Sequence, residues 1–172
     1  MADFLFYRGI NIMKNKLLKL LSQNAKYTTE ELAIMAGATD EEIKAAISEL
    51  EADGIIRGYK AVVDWDSLAN PKVSAVIELK VIPQAEYGFE RIAKKVMNYD
   101  EVESVYLMSG AYDLCVMVKA NTFRDVAMFV ARELATIEGV TGTATHFVLR
   151  RYKELDIPLV ENDKDDRGAY SL

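Results

Sequence analysis

The chain has 172 residues, 51% of them apolar and 28% charged, a balance that excludes a disordered chain, a collagen and a large enzyme and leaves room for one or two domains. Its formal charge of −6 gives no sign of a nucleic-acid binder, and the single cysteine, Cys115, cannot close an intramolecular disulfide. No run approaches the roughly 18 apolar residues of a membrane span, so a reduced, cytoplasmic protein with no membrane partner is expected.

Met1 to Ile12 are apolar in patches but lack a basic start, a long apolar stretch and a small-residue cleavage site. Residues 1–12 therefore read as an N-terminal extension rather than a signal peptide, with Met13 opening a lysine-rich helical pattern. In that pattern Leu17, Leu18, Leu20 and Leu21 recur at helical spacing before a break at Asn24 to Tyr27. Thr28 and Glu31 then make a capping box: the hydroxyl accepts from the backbone three residues on, and the carboxylate reaches back. Leu32, Ala33 and Met35 supply the apolar face of this second helix up to Gly37. The same signature repeats at Thr39 and Glu42, followed by Ile43, Ala46, Ile47 and Leu50, and Gly54 ends the third helix. Ile55 to Asp64 is too β-branched for a helix and carries Gly58, which fits a hairpin-like wing or an extended strand. Residues 13–64 thus form a first domain, and residues 65–72, with Asn70 and Pro71, a linker.

From Val73 the period changes. Val73 to Ile82 alternates as a strand, Tyr87 to Met97 as a helix and Val102 to Met108 as a strand, with Gly110 in the turn that follows. Tyr112 to Lys119 is the next strand, Thr122 with Asp125 caps a helix carrying Val126, Phe129, Val130 and Leu134, and Val140 to Tyr152 is a long last strand. The string is βαββαβ, so residues 73–155 are expected to form a ferredoxin-like sandwich and the whole chain an α+β protein. Residues 156–172, with five acids and two bases, read as an acidic tail.

A sheet of this topology carries helices on one face only, so the other face of a monomer should be polar at every second position. These strands read otherwise. Leu114, Val116 and Val118 alternate with Cys115 and Met117, and Val105 and Leu107 with Tyr106 and Met108. Two apolar faces predict a homodimer with sheets packed face to face.

No metal-ligand cluster, glycine-rich phosphate loop or nucleophile–base pair is legible in the spacing, so no catalytic residue, metal or cofactor is expected. The lone histidine, His146, sits between Thr145 and Phe147, where a structural role is the commoner one.

A three-helix unit with a wing followed by βαββαβ resembles the leucine-responsive/asparagine-regulator (Lrp/AsnC, feast-famine) transcriptional regulators over about residues 14–155. The resemblance is carried by the run Leu50 to Tyr59 (LEADGIIRGY), by Gly110-Ala111-Tyr112-Asp113 and by the closing segment Gly139 to Leu149. It implies a winged helix-turn-helix that binds double-stranded DNA, and a RAM-type effector and dimerisation domain. It further implies assembly of dimers into octamers or higher, and a small effector, often an amino acid, held between dimers near the turn after the second strand. Two positions depart from the family pattern: Ala111 stands where relatives usually carry an acid, and Ala46 where they place an arginine.

On this resemblance Thr39, Asp40, Glu41, Lys44, Ala45 and Ser48 stand at the DNA-reading helix, with Lys44 and Ser48 facing the groove and Glu41 placed to accept from a cytosine amino group. Lys16, Arg57 and Lys60 stand near phosphates. Residues 13–64 hold seven bases against nine acids, so DNA binding is expected to be weak or highly site-selective. The effector set is Ser109, Gly110, Ala111, Tyr112 and Asp113, joined by Thr145. Backbone N–H groups at Gly110 and Ala111, the Ser109 hydroxyl and the Asp113 carboxylate suit the two charged ends of an amino acid. The same residues also make sense as structure alone, with Gly110 forming the turn and Asp113 capping or salt-bridging it. Two other classes share the architecture: an effector-sensing or assembly module with weak or lost DNA binding, and an enzyme of the siroheme-decarboxylase type.

Overall fold

A computed structural model of the chain describes residues 12–83 and 88–160. The expected extension before Ile12, the first residue of the helix expected at Tyr87 and the tail beyond Val160 lie outside the described residues. Packing divides the chain into two units between Ala61 and Val62.

The first unit holds three helices: α1 (Ile12–Gln23), α2 (Thr29–Ala36) and α3 (Asp40–Ala52). Both capping boxes form. Thr28 N–H donates to Glu31 Oε2 at 2.9 Å and Glu31 N–H to Thr28 Oγ1 at 3.2 Å; Thr39 N–H donates to Glu42 Oε2 at 2.8 Å and Glu42 N–H to Thr39 Oγ1 at 3.2 Å. Between them Gly37 takes the left-handed conformation (φ 72°) and returns its N–H to Ala33, so α2 and α3 are joined by a turn of only three residues. Leu17, Leu32, Ile43 and Leu50 are fully buried together with Ala33 and Ala46, each large side chain contributing roughly 1.5–3 kcal/mol by leaving water.

Gly54 (φ 67°) closes α3, and the N–H groups of Ile55 and Ile56 both return to Leu50 O. Ile56 packs on the helical core and Tyr59 Oη donates to Glu51 Oε1 at 3.0 Å, so the chain leaving α3 stays against it. The expected β-wing does not form: residues 55–64 belong to no strand. A lone extended segment has no ladder partner, and one hairpin without a covering layer is only marginally stable.

In the second unit β1 (Val73–Val81), β2 (Val102–Leu107), β3 (Leu114–Ala120) and β4 (Val140–Phe147) make one sheet in the order β2-β3-β1-β4. All three pairings are antiparallel. Helices α4 (Glu90–Val96) and α5 (Phe123–Arg132) share a single core with the sheet: Ala75, Ile77, Leu79 and Val81 of β1 and Leu114, Val116 and Val118 of β3 meet Ile92, Val96, Val126, Phe129 and Val130. Leu134, read as part of the second helix, sits in a following 3-10 turn and is still fully buried.

The last strand is shorter than its alternation suggests. It leaves the ladder after Phe147, Val148 N–H bonds Ser74 O, and β5 (Lys153–Glu154) pairs with β6 (Ile157–Pro158). Residues 153–158, divided between domain and tail on the sequence pattern, are thus one small hairpin turning at Leu155 and Asp156, both with positive φ.

The second face of the sheet is less apolar than expected. Register places Ser104 and Tyr106, Cys115, Met117 and Lys119, Ser74, Val76, Glu78 and Lys80, and Gly142, Ala144 and His146 on it. Val76, Met117, Cys115 and Tyr106 form an apolar strip, flanked by a Glu78–His146 pair (3.1 Å) and a Lys119–Glu103 pair (2.7 Å). Val105 and Leu107, by contrast, lie on the helix side with Val116 and Leu114.

Because the two boxes set the start of each helix beside the three-residue turn, Thr39→Ala should destabilise the first unit by about 1 kcal/mol. Urea unfolding of the full chain, followed by helical circular dichroism, checks this against Thr39→Ser, which keeps the hydroxyl and should unfold as wild type does.

Candidate functional site

Two surfaces gather the residues singled out in the sequence. The first is the outward face of α3, where Glu41, Lys44, Ala45 and Ser48 are exposed in succession while Ile43, Ala46 and Leu50 point into the core. Ala46, placed where relatives carry an arginine, is therefore an interior position in this chain. Thr39 is occupied in the capping box, so its hydroxyl and one backbone N–H are already used. Asp40 pairs with Lys44 one turn on, Nζ to Oδ2 at 2.5 Å. The Lys44 ammonium first and the neighbouring Thr29 hydroxyl second hold the Asp40 carboxyl below its usual range. Lys16, Arg57 and Lys60 are exposed, whereas Lys14, on α1, is paired with Glu49 of α3.

The second surface is the turn from β2 to β3. Met108 N–H donates to Asp113 O at 2.8 Å and Asp113 N–H to Leu79 O at 2.9 Å, which straps the turn to β1. Asp113 Oδ2 accepts Val81 N–H at 2.8 Å and stands 3.4 Å from Lys80 Nζ. β3 pairs with β1 only as far as Leu114 opposite Leu79, so the carboxylate gives Val81 N–H an acceptor past the end of that ladder. Ser109, Gly110 and Ala111 are exposed, and Tyr112 and Asp113 half-buried. Gly110 has φ 156° with open space where a Cβ would stand. Among the described residues, the N–H groups of Gly110 and Ala111 donate to no backbone acceptor.

Ser109 to Asp113 are thus together, but Thr145 is not among them. It lies on β4 opposite Ile77, on the helix side, while the turn is tied to Leu79, whose partner on β4 is Thr143. Lys80 and Val81, which do touch Asp113, escape a reading by local pattern because the contact spans 32 residues. Clefts of about 500 Å³ beside Lys72, Asp100, Lys119 and Arg132, and about 310 Å³ beside Lys95, Thr136 and Glu138, lie elsewhere and include no residue of the turn. Among the described residues no three His, Cys, Asp or Glu are grouped to hold a metal, and no helix is long and apolar enough to cross a membrane.

Comparison with known proteins joins the two surfaces in one molecule. Residues 74–157 match the Lrp/AsnC ligand-binding domain. Along 155 residues the chain is 39% identical to the uncharacterized HTH-type transcriptional regulator YugG of Bacillus subtilis, covering 90% of this chain and 93% of that one. It is 24% identical over 137 residues to the regulatory protein AsnC of Haemophilus influenzae, covering 80% and 89%. Among solved structures, the transcriptional regulator NMB0573 of Neisseria meningitidis in complex with L-Met superposes with a TM-score of 0.67 at 23% identity, over 84% of this chain and 93% of that one. AsnC of E. coli gives 0.64 at 23% identity, over 84% and 95%. The chain belongs to the Lrp/AsnC family and is a transcriptional regulator of that type.

Asp113 carries a strand-to-turn bond, so Asp113→Ala should leave the buried Val81 N–H without an acceptor and destabilise the second unit by roughly 1–3 kcal/mol. Asp113→Asn keeps an acceptor oxygen and should recover most of that loss; denaturant unfolding of both variants checks the difference.

Proposed function

We propose, from this membership, that the first unit is the DNA-binding head, a helix-turn-helix in which α2 lies across the duplex and α3 enters the major groove. One observation carries the reading: two helices, each started by a complete capping box and joined by three residues, hold Glu41, Lys44, Ala45 and Ser48 outward on α3. Lys44 and Ser48 contact base edges, and Glu41 accepts from a cytosine amino group. Lys16, Arg57 and Lys60 meet phosphates. Segment 55–64 forms no strand of its own and contributes Arg57 and Lys60 as phosphate contacts.

The second unit senses and assembles. We infer a homodimer closed over the sheet face that lacks helices, with dimers joining into an octamer or higher assembly, and an amino acid or related metabolite at the β2–β3 turn between dimers. Its carboxylate is met by the Gly110 and Ala111 N–H groups and the Ser109 hydroxyl, with Tyr112 walling the pocket. Its ammonium shares Asp113 with Val81 N–H and Lys80, since a carboxylate offers about four acceptor sites. The L-Met bound by the Neisseria regulator supports this class of effector. Thr145, on β4 opposite Ile77 and on the helix side of the sheet, lies outside this site. The function is binding and regulation rather than catalysis.

A second reading, a sensing module whose head binds DNA weakly, is favoured by the three consecutive acids Asp40, Glu41 and Glu42 that open α3. The two readings part on one titration. Under the first, wild type binds a selected duplex at moderate salt; replacing Lys16, Arg57 or Lys60 with Ala weakens all duplexes alike and lowers the log affinity–log salt slope by about one unit each, whereas Lys44→Ala changes which sequence is preferred. A variant lacking residues 13–64 that binds as well as the full chain contradicts it.

For the sensor, calorimetry over the amino acids should find a ligand whose affinity falls in Gly110→Val, where a β-branched residue both blocks the approach and strains the turn. Equal affinity in wild type and variant would leave the turn as structure only.

A further inference from the structure

Helix α3 holds five acids and a single base, Lys44. That base is not held out alone. Its Nζ lies on Asp40 Oδ2, while the other oxygen of the same carboxylate, Oδ1, is buried, and the Thr29 hydroxyl of α2 also acts on the carboxylate. The two groups shift each other: the ammonium lowers the carboxyl, and the carboxylate raises the ammonium. The other charges near Lys44 are Glu30 on α2 and Glu41 on α3, both acids. Lys44 thus sits in a local field of negative charge, and Asp40 is the member of that field in contact with it.

We propose that Asp40 is a positioning residue for DNA recognition, one that keeps Lys44 along the helix, withholds it from phosphates and reserves it for a base edge. The inference rests on the reading of the first unit as the DNA-binding head. An ammonium has three donors and no acceptor, so Lys44 can keep Asp40 on one hydrogen and still donate to guanine O6 or N7 in the groove. A phosphate asks for something else. Swinging Lys44 away to the backbone exchanges one anion for another, releases little net counterion, and leaves the Asp40 carboxylate facing DNA with no cation beside it. The pair therefore sets the ratio between correct and incorrect sequence more than the affinity itself, and it turns an acidic helix start from an obstacle into a filter.

The test uses the full-length protein, a duplex enriched from a randomised pool by wild type, and a shuffled duplex of the same composition. Asp40→Asn should bind the shuffled duplex several-fold more tightly, with a log affinity–log salt slope steeper by about one unit, the mark of one added phosphate contact. The ratio between enriched and shuffled duplex should narrow by a similar factor. Adding Lys44→Gln to Asp40→Asn should abolish the gain. Lys44→Gln alone leaves the start of α3 untouched; it should lose discrimination on the enriched duplex with little change of slope on the shuffled one. If wild type selects a duplex and Asp40→Asn changes neither slope nor ratio, the positioning role is overturned and the DNA-binding reading stands. If wild type and Asp40→Asn both bind no duplex at low salt, both are overturned.

Discussion

A four-stranded antiparallel sheet has two faces, and this chain supplies helices for one. Alpha4 and α5 close the first face over a core that runs from Ala75 to Ile137. The second face is left with Val76, Met117, Cys115 and Tyr106 in a strip bordered by charged pairs. Such a surface, apolar at its centre and polar at its rim, has the anatomy of an interface between subunits. In the dimer proposed for this face, the Glu78–His146 and Lys119–Glu103 pairs would serve register rather than adhesion, since exposed ion pairs contribute little by themselves. The strip is also where Cys115 sits; burial first and the Glu78 charge second push its thiol up.

What was legible in the sequence was local. Thr28 with Glu31 and Thr39 with Glu42 speak to each other across three residues, and Gly37 and Gly54 end their helices by a conformation that other residues resist, so all four helix boundaries near them follow from neighbouring residues. The βαββαβ string was legible for the same reason. What was not legible depends on register. Which face Thr145 and His146 take is set by their partners on β1, not by their neighbours in the chain. The same holds for Val105 and Leu107, and for the length of the last strand, where Val148 and Leu149 continue an apolar pattern after the ladder has run out. For Asp113 the sequence leaves open a ligand carboxylate and a structural cap or salt bridge; its structural partners, Val81 N–H and Lys80, lie across the sheet, where no local pattern announces them.

The charge of the first unit ties the account together. A head with more acid than base is a poor general polyanion binder, and the bases it does hold are partly committed, Lys14 to Glu49 and Lys44 to Asp40. An assembly compensates for such weakness, because linking heads on one body raises the effective concentration of each for neighbouring sites on one duplex. On the proposed reading, the dimer over the sheet face would do more than cover apolar residues: it would give an acidic head a second contact with the same duplex. By linkage, an effector that changes assembly must change DNA binding, and DNA must change effector affinity in return.

The central claim, that the sheet face without helices is closed by a second copy, is tested most directly by sedimentation equilibrium of wild type beside Met117→Glu. Met117 lies on that face and is only half-buried, whereas its neighbour Val116 belongs to the core, so the substitution at 117 probes association without emptying the interior. The account predicts that wild type sediments as a dimer or a multiple of it, and that Met117→Glu yields a folded monomer. Wild type and variant sedimenting as the same species, with unchanged circular dichroism, would contradict it.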